Sequence, residues 1–245
     1  MARTTGIEWT DSTCNFWVGC RAVSPGCARC YARTLVEGRM GGDFSVVRRT
    51  APATFNAALK WKERLLIFTC SLSDFFIEDA DPWRPDAWDV IRRTPQHTWL
   101  ILTKRPELIP GRLPPDWGLG YPNVWLGVSG ETLSLAWTRG SLLKRVPAAV
   151  RFLSAEPWLE PYMPGFSDAY LSVVSMFDWV IIGGESGPAC RPMDIRSARA
   201  LVVAAGVSSV PVFLKQLGGP VGRKRDHEEA VMDGRTYKEF PAVPR

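Results

Sequence analysis

No stretch of this sequence is apolar for long enough to cross a bilayer. The longest runs, such as Trp179-Val180-Ile181-Ile182, fall far short of the roughly 20 residues that a spanning helix needs. The opening Met1-to-Thr10 stretch lacks the apolar core of a secretory signal. These two absences predict a soluble, cytoplasmic chain with no membrane partner. No internal repeat or low-complexity tract stands out. A disorder-like composition is missing too. Hydrophobic residues make up 46% of the chain, enough to build a core. The length of 245 residues fits one large α/β domain or two small ones.

Six cysteines in a cytosolic chain do not form a disulfide framework. Their spacing is uneven. Cys14, Cys20, Cys27 and Cys30 crowd into one short segment, while Cys70 and Cys190 stand alone. The net charge of +5 and pI near 9.0 suit a nucleic-acid partner. Of the eleven tryptophans, some have the chemistry to stack on bases, but most are expected in the core.

Short apolar runs recur along the chain and end abruptly in polar or glycine residues. They are Leu65-to-Thr69, Thr98-to-Leu102, Val124-to-Val128, Val150-to-Leu153, Trp179-to-Ile182 and Val210-to-Leu214. Continuous apolar runs of this length suit strands buried on both faces, as in parallel sheets. An early strand is predicted over Gly6-to-Trp17. Helices are predicted over Ala28-to-Val36, Pro85-to-Arg93, Thr132-to-Lys144 and Asp194-to-Ala205. Pro85 starts one of them, Asp194 caps another, and Gly206 stops it. The alternation reads as repeated β-α units. A complete eight-fold barrel takes ~250 residues, so the expected fold is α/β, a partial (β/α)6-type TIM-like barrel, with a flat doubly wound sheet as the alternative. Residues 1–217 would form the barrel. Residues 218–245 would form a small C-terminal appendage, with a hairpin at Asp233-Gly234 and a basic run at Arg223-Lys224-Arg225.

Charged groups fall at the C-terminal ends of these runs: Asp74, Lys104, Arg105, Glu131, Glu156, Glu185 and Lys215. That is where a barrel of this kind carries its active site. The cysteines follow the first strand with the spacing Cys20-x6-Cys27-x2-Cys30, flanked by Gly19, Pro25 and Gly26. Three thiolates can hold three irons of a [4Fe-4S] cluster and leave the fourth open. With Cys14 added, four thiolates can instead make a structural zinc tetrahedron. Spacing leaves both readings open, and the position at a strand end favours the iron–sulfur one.

The chain resembles the phage-type three-cysteine proteins, a divergent branch of the radical SAM group. The likeness rests on Ile7-Glu8-Trp9-Thr10-Asp11, Gly19-Cys20, Pro25-Gly26-Cys27-Ala28-Arg29-Cys30-Tyr31, Ser71-Leu72-Ser73-Asp74 and Thr103-Lys104-Arg105-Pro106. It continues through Asn123-to-Ser129, Ser154-Ala155-Glu156-Pro157, Gly183-to-Gly187 and Lys215-Gln216. The usual radical SAM spacing is C-x3-C-x2-C, and the longer first interval is this branch's own. The resemblance implies that Cys20, Cys27 and Cys30 hold the cluster and that Cys14 is extra. It implies that S-adenosylmethionine is cleaved to a 5′-deoxyadenosyl radical, with electrons from an external donor such as a flavodoxin or ferredoxin.

The expected substrate class is nucleic acid, most concretely the spore photoproduct, a thymine dimer in ultraviolet-damaged DNA. There the radical would take a hydrogen from C6 of the dihydrothymine half. Cys190, Cys70 or Tyr31 would return one to the product. Asp74 and Glu131 are expected to bind the amine and ribose of S-adenosylmethionine. Lys104, Arg105 and Lys215 are expected to bind phosphates or its carboxylate, and Ser129, Glu156 and Glu185 complete the expected cofactor-binding set. The rival accounts are structural salt bridges for the charged groups and buried small hydrophobes for Cys70 and Cys190. Two other functions stand beside this one: radical SAM modification of RNA or a nucleotide, and a non-catalytic zinc-bearing nucleic-acid-binding module.

Overall fold

The computed structural model describes residues 5–186, 190–218 and 230–242. The architecture is mixed α/β. In chain order the elements are β1 (Ser12–Cys14), β2 (Trp17–Val18), α1 (Tyr31–Arg39), β3 (Arg48–Arg49), α2 (Pro52–Phe55), β4 (Leu66–Thr69), α3 (Arg84–Arg92), β5 (Thr98–Thr103) and β6 (Val124–Ser129). They continue with α4 (Leu133–Leu143), β7 (Val150–Ala155), α5 (Ser167–Val174), β8 (Trp179–Gly183), α6 (Ile195–Ser208), β9 (Val212–Gln216), β10 (Val231–Met232) and β11 (Arg235–Thr236). Among the described residues no helix is long and apolar enough to cross a membrane.

The chain divides into two compact units, Met1–Gly127 with Val146–Ala149, and Val128–Arg145 with Val150–Arg245. The division falls inside β6, whereas composition suggested a boundary near residue 217. Residues 219–229, which include the Arg223-Lys224-Arg225 run, lie outside the described residues.

In the first unit, β4 takes parallel partners on both sides. Ser12 pairs with Ile67 across from β1, and Ile67 pairs with Trp99 across from β5. The predicted early strand is therefore real but short, and β2 turns away to pair antiparallel with β3. Every residue of β4 is buried, which explains why Leu66, Ile67 and Phe68 follow one another without polar alternation. Aromatic rings fill the core. Phe16 stacks on Trp99 at 5.7 Å, and Phe75 meets Trp88 edge-on at 4.9 Å. Eight of the eleven tryptophans are buried, so only Trp61, Trp83 and Trp137 have faces available to a partner. Pro85 sits in the first turn of α3, where its missing N–H removes no intrahelical bond.

In the second unit β7, β8 and β9 pair in parallel, with a register shift at Ile182/Gly183. Thr132 caps α4 by accepting from the Leu135 N–H, and Asp194 caps α6 by accepting from that of Arg196. Gly206 does not stop α6, which runs on to Ser208. Ser209 takes the left-handed conformation instead, with φ of 55°. Helix α5 had no sequence expectation. The predicted hairpin is β10–β11, turning at Asp233-Gly234. The chain after it returns along β9, where the Leu214 N–H donates to the Tyr237 carbonyl at 2.8 Å.

Candidate functional site

Cys20, Cys27 and Cys30 lie on the segment between β2 and α1, all three half-buried and free of disulfides. Cys27 closes a short 3-10 turn that begins at Pro25, and Cys30 is the residue before α1. Local backbone chemistry holds the loop. Gly19 has φ of +106°, and a Cβ there would stand 2.3 Å from the Val46 carbonyl oxygen. Only glycine satisfies both constraints. The Gly19 N–H donates to the Leu72 carbonyl and the Cys20 N–H to that of Phe44. Beneath the loop, Val18, Ala32, Val36 and Phe44 form a small apolar cluster against which Cys20, Cys30 and Leu72 pack.

Cys14 lies apart from them. It is fully buried at the end of β1, and its carbonyl accepts the Cys70 N–H at 2.8 Å. Burial, reinforced by Cys70 nearby, pushes its thiol well up. Cys70 is buried too, with φ of 57°. Its thiol is pushed up to about 12 by burial, against the pull of backbone N–H groups of Phe16 and Trp17. Both cysteines therefore behave as small core residues.

The end of β4 and the end of β5 meet at Asp74. Its carboxylate accepts from the Thr103 hydroxyl (2.7 Å), the Phe76 N–H (2.9 Å), the Lys104 N–H (3.0 Å) and Arg105 Nη1 (3.1 Å). The side chains of Asp74 and Arg105 are 6% and 7% exposed. Arg105 also donates from Nη1 to Cys20 Sγ at 3.7 Å and from Nη2 to the Arg21 carbonyl at 2.8 Å. Burial and the charge of Asp74 push the free Cys20 thiol up to about 11, with Arg105 pulling the other way. Arg21 in turn forms a two-pronged pair with Asp79, at 2.5 and 2.6 Å. Sequence position correctly put Asp74, Lys104 and Arg105 at strand ends, but gave no sign that they bond one another and the cysteine loop. Tyr31 is half exposed, and its hydroxyl donates to the Ser71 carbonyl at 2.6 Å.

The second unit carries its own strand-end charges, each matched with a cation. Glu131, two residues after β6, is fully buried and accepts from Arg139 at 2.8 Å. Arg139 also donates to the carbonyl of Ser129, the last residue of β6, at 2.7 Å. Glu156, directly after β7, pairs with Lys215 of β9 and packs against Gly183. Glu185, two residues after β8, pairs with Arg191, whose backbone N–H it also accepts at 2.8 Å. Cys190 is half-buried immediately before that arginine. Arg139 and Arg191 were missed by sequence reasoning, because an arginine inside a helix or loop carries no mark of the carboxylate it will meet.

The three cysteines of the loop between β2 and α1 are a donor set of the chemical kind that iron–sulfur clusters take. It consists of soft thiolates alone, reachable from solvent and carried on one loop, with the fourth cysteine of the segment removed to the core. Among the described residues no three His, Cys, Asp or Glu side chains stand close enough to close on one metal ion. Tetrahedral zinc, with Zn–S bonds of about 2.3 Å, needs its thiolates about 3.8 Å apart.

Searches of curated proteins and of solved structures find no match. A model of one protein family does match, over residues 4–241. The chain therefore belongs to the DUF5131 family, described as proteins of unknown function.

Proposed function

We propose that the protein is a radical SAM enzyme acting on nucleic acid, most concretely a spore photoproduct lyase-like enzyme repairing ultraviolet-damaged DNA, built on a partial βα barrel. The observation that carries this reading is the separation of the cysteines. Cys20, Cys27 and Cys30 are half-buried on one loop, while Cys14 is sealed beside Cys70. Three accessible thiolates would hold the cluster and leave one iron without a protein ligand. When bound and reduced, the cluster supplies the electron that cleaves S-adenosylmethionine. The chain's own contribution is binding and orientation. Gly19 lets the loop pass under Val46, the Val18–Phe44 apolar cluster keeps water from its underside, and Arg105 and Asp74 tie it to the ends of β4 and β5. The net charge of +5 favours a polyanionic substrate.

Asp74 is already committed to four donors, so it serves as a buried brace. The matched pairs of the second unit brace their strand ends in the same way. Cys190 is half-buried whereas Cys70 is sealed in the core, which favours Cys190 of the two lone cysteines as the hydrogen donor.

The test is anaerobic purification followed by incubation with dithionite and S-adenosylmethionine, with and without ultraviolet-damaged DNA. A brown protein absorbing near ~400 nm that releases 5′-deoxyadenosine is the expected result. A colourless protein holding one zinc refutes the radical reading. An intact synthetic spore photoproduct, under conditions where S-adenosylmethionine is consumed, refutes the DNA-repair assignment and leaves RNA or a nucleotide as substrate.

A further inference from the structure

We propose that Arg105 is a positioning residue for the cluster ligand Cys20, and that its guanidinium raises the electron affinity of the cluster while Asp74 lowers it. This rests on the reading that Cys20, Cys27 and Cys30 hold an iron–sulfur cluster. It replaces the expectation that Arg105 binds a substrate phosphate or the carboxylate of S-adenosylmethionine.

Both terminal nitrogens of the guanidinium are engaged. Nη1 serves Cys20 Sγ at 3.7 Å and Asp74 Oδ2 at 3.1 Å, and Nη2 serves the Arg21 carbonyl at 2.8 Å. It thus grips both the ligand atom of Cys20 and the backbone of the residue after it. Its own backbone is pinned as well, since the Arg105 N–H donates to the Thr103 hydroxyl at 2.9 Å, which donates to Asp74 at 2.7 Å. A side chain 7% exposed, with this many bonds, has no freedom to follow a substrate. The thiols are also treated unequally. Cys20 receives a cationic donor, whereas Cys27 has the Ser24 hydroxyl near its sulfur, at 3.8 Å.

Adding an electron to a cluster adds negative charge spread over its sulfurs. An N–H aimed at a ligand sulfur and a buried positive charge both favour that state, and such hydrogen bonds and net charge are known levers on cluster potential. The carboxylate of Asp74 acts on the same atoms with the opposite sign. The low local dielectric around two nearly buried groups strengthens both effects.

The experiment is a redox titration of the reconstituted full-length protein, followed by electron paramagnetic resonance, for the wild type, Arg105→Gln, Arg105→Lys and Asp74→Asn. Iron and sulfide content and circular dichroism serve as checks. Arg105→Gln should disfavour reduction at least tenfold, which for one electron is a midpoint lower by about 59 mV. Arg105→Lys keeps the charge but loses the planar fork, so its midpoint should fall by less. Asp74→Asn should move the midpoint upward. If Arg105→Gln fails to fold, the opposite shifts of the other two variants carry the test. Variants that hold a full cluster at the wild-type potential overturn the assignment of Arg105 while leaving the cluster reading intact. A wild-type protein that takes up no cluster overturns the cluster reading itself, and the role of Arg105 with it.

Discussion

Arg139→Met would remove a guanidinium from a buried carboxylate while keeping most of the side chain's apolar bulk. In the native protein Arg139 reaches Glu131 at 2.8 Å and the Ser129 carbonyl at 2.7 Å. The Glu131 side chain is 0% exposed and that of Arg139 7%, so water is poorly placed to replace the lost donor. Breaking a buried pair from one side costs about 3–5 kcal/mol. For a chain of this size each kcal/mol lowers Tm by about 2–4 °C, so the expected drop is about 6–20 °C. Calorimetry and urea unfolding both measure it. The size of the loss should depend on pH. Without the Arg139 guanidinium, burial of the Glu131 side chain favours its protonated form. The folded variant then binds more protons than the unfolded chain, so its stability rises as pH falls and the deficit shrinks under acid conditions. The double variant Glu131→Gln/Arg139→Met should recover much of the loss, because no buried charge is left uncompensated. A single variant within about 1 kcal/mol of wild type is the behaviour of an exposed pair, and would refute the argument from burial.

Gly19→Ala should destabilise the protein by about 2 kcal/mol or more, since the new Cβ meets the Val46 carbonyl in a conformation unfavourable to alanine. Thermal unfolding measures this, and iron content should fall with it. Cys27→Ala should abolish iron uptake. Cys14→Ala should cost on the order of 1 kcal/mol yet keep the iron, and iron loss in that variant would return Cys14 to the ligand set. His97 is buried, and burial, partly offset by the Ala58 carbonyl, lowers its pKa. The unfolded chain therefore takes up its proton first as pH drops below about 6.5, and the wild type should lose stability there. His97→Gln should show a flatter profile between pH 7.5 and 5.5 in urea unfolding. Asp79 titrates in a separate window, because the bond from Arg21 lowers its pKa. Its contribution is present above about 3.9 and is lost only as pH falls below that.

The strands were legible because their burial leaves a continuous mark. β4, β6 and β8 are buried at every position, so each is written as an apolar run that stops where the strand stops. Helix α5 left a weaker mark. It is short and has no side-chain cap, so neither start signal nor length set it apart from a loop. Gly206 misled for a related reason. Glycine can end a helix, but it can also be carried inside one, and the backbone chose Ser209 for the left-handed position.

The sequence by itself determined the α/β repeat, the three-cysteine loop and the placement of acids and bases at strand ends. Each is encoded locally, in periodicity, spacing or the residue following an apolar run. What only the tertiary structure decided is which of those groups face one another. Cys14 and Cys20 are six residues apart, yet one closes against Cys70 in the core while the other meets Arg105, which comes from a different strand end. Hydrogen bonds and ion pairs form through space between groups far apart in the chain, and no local pattern records their partner.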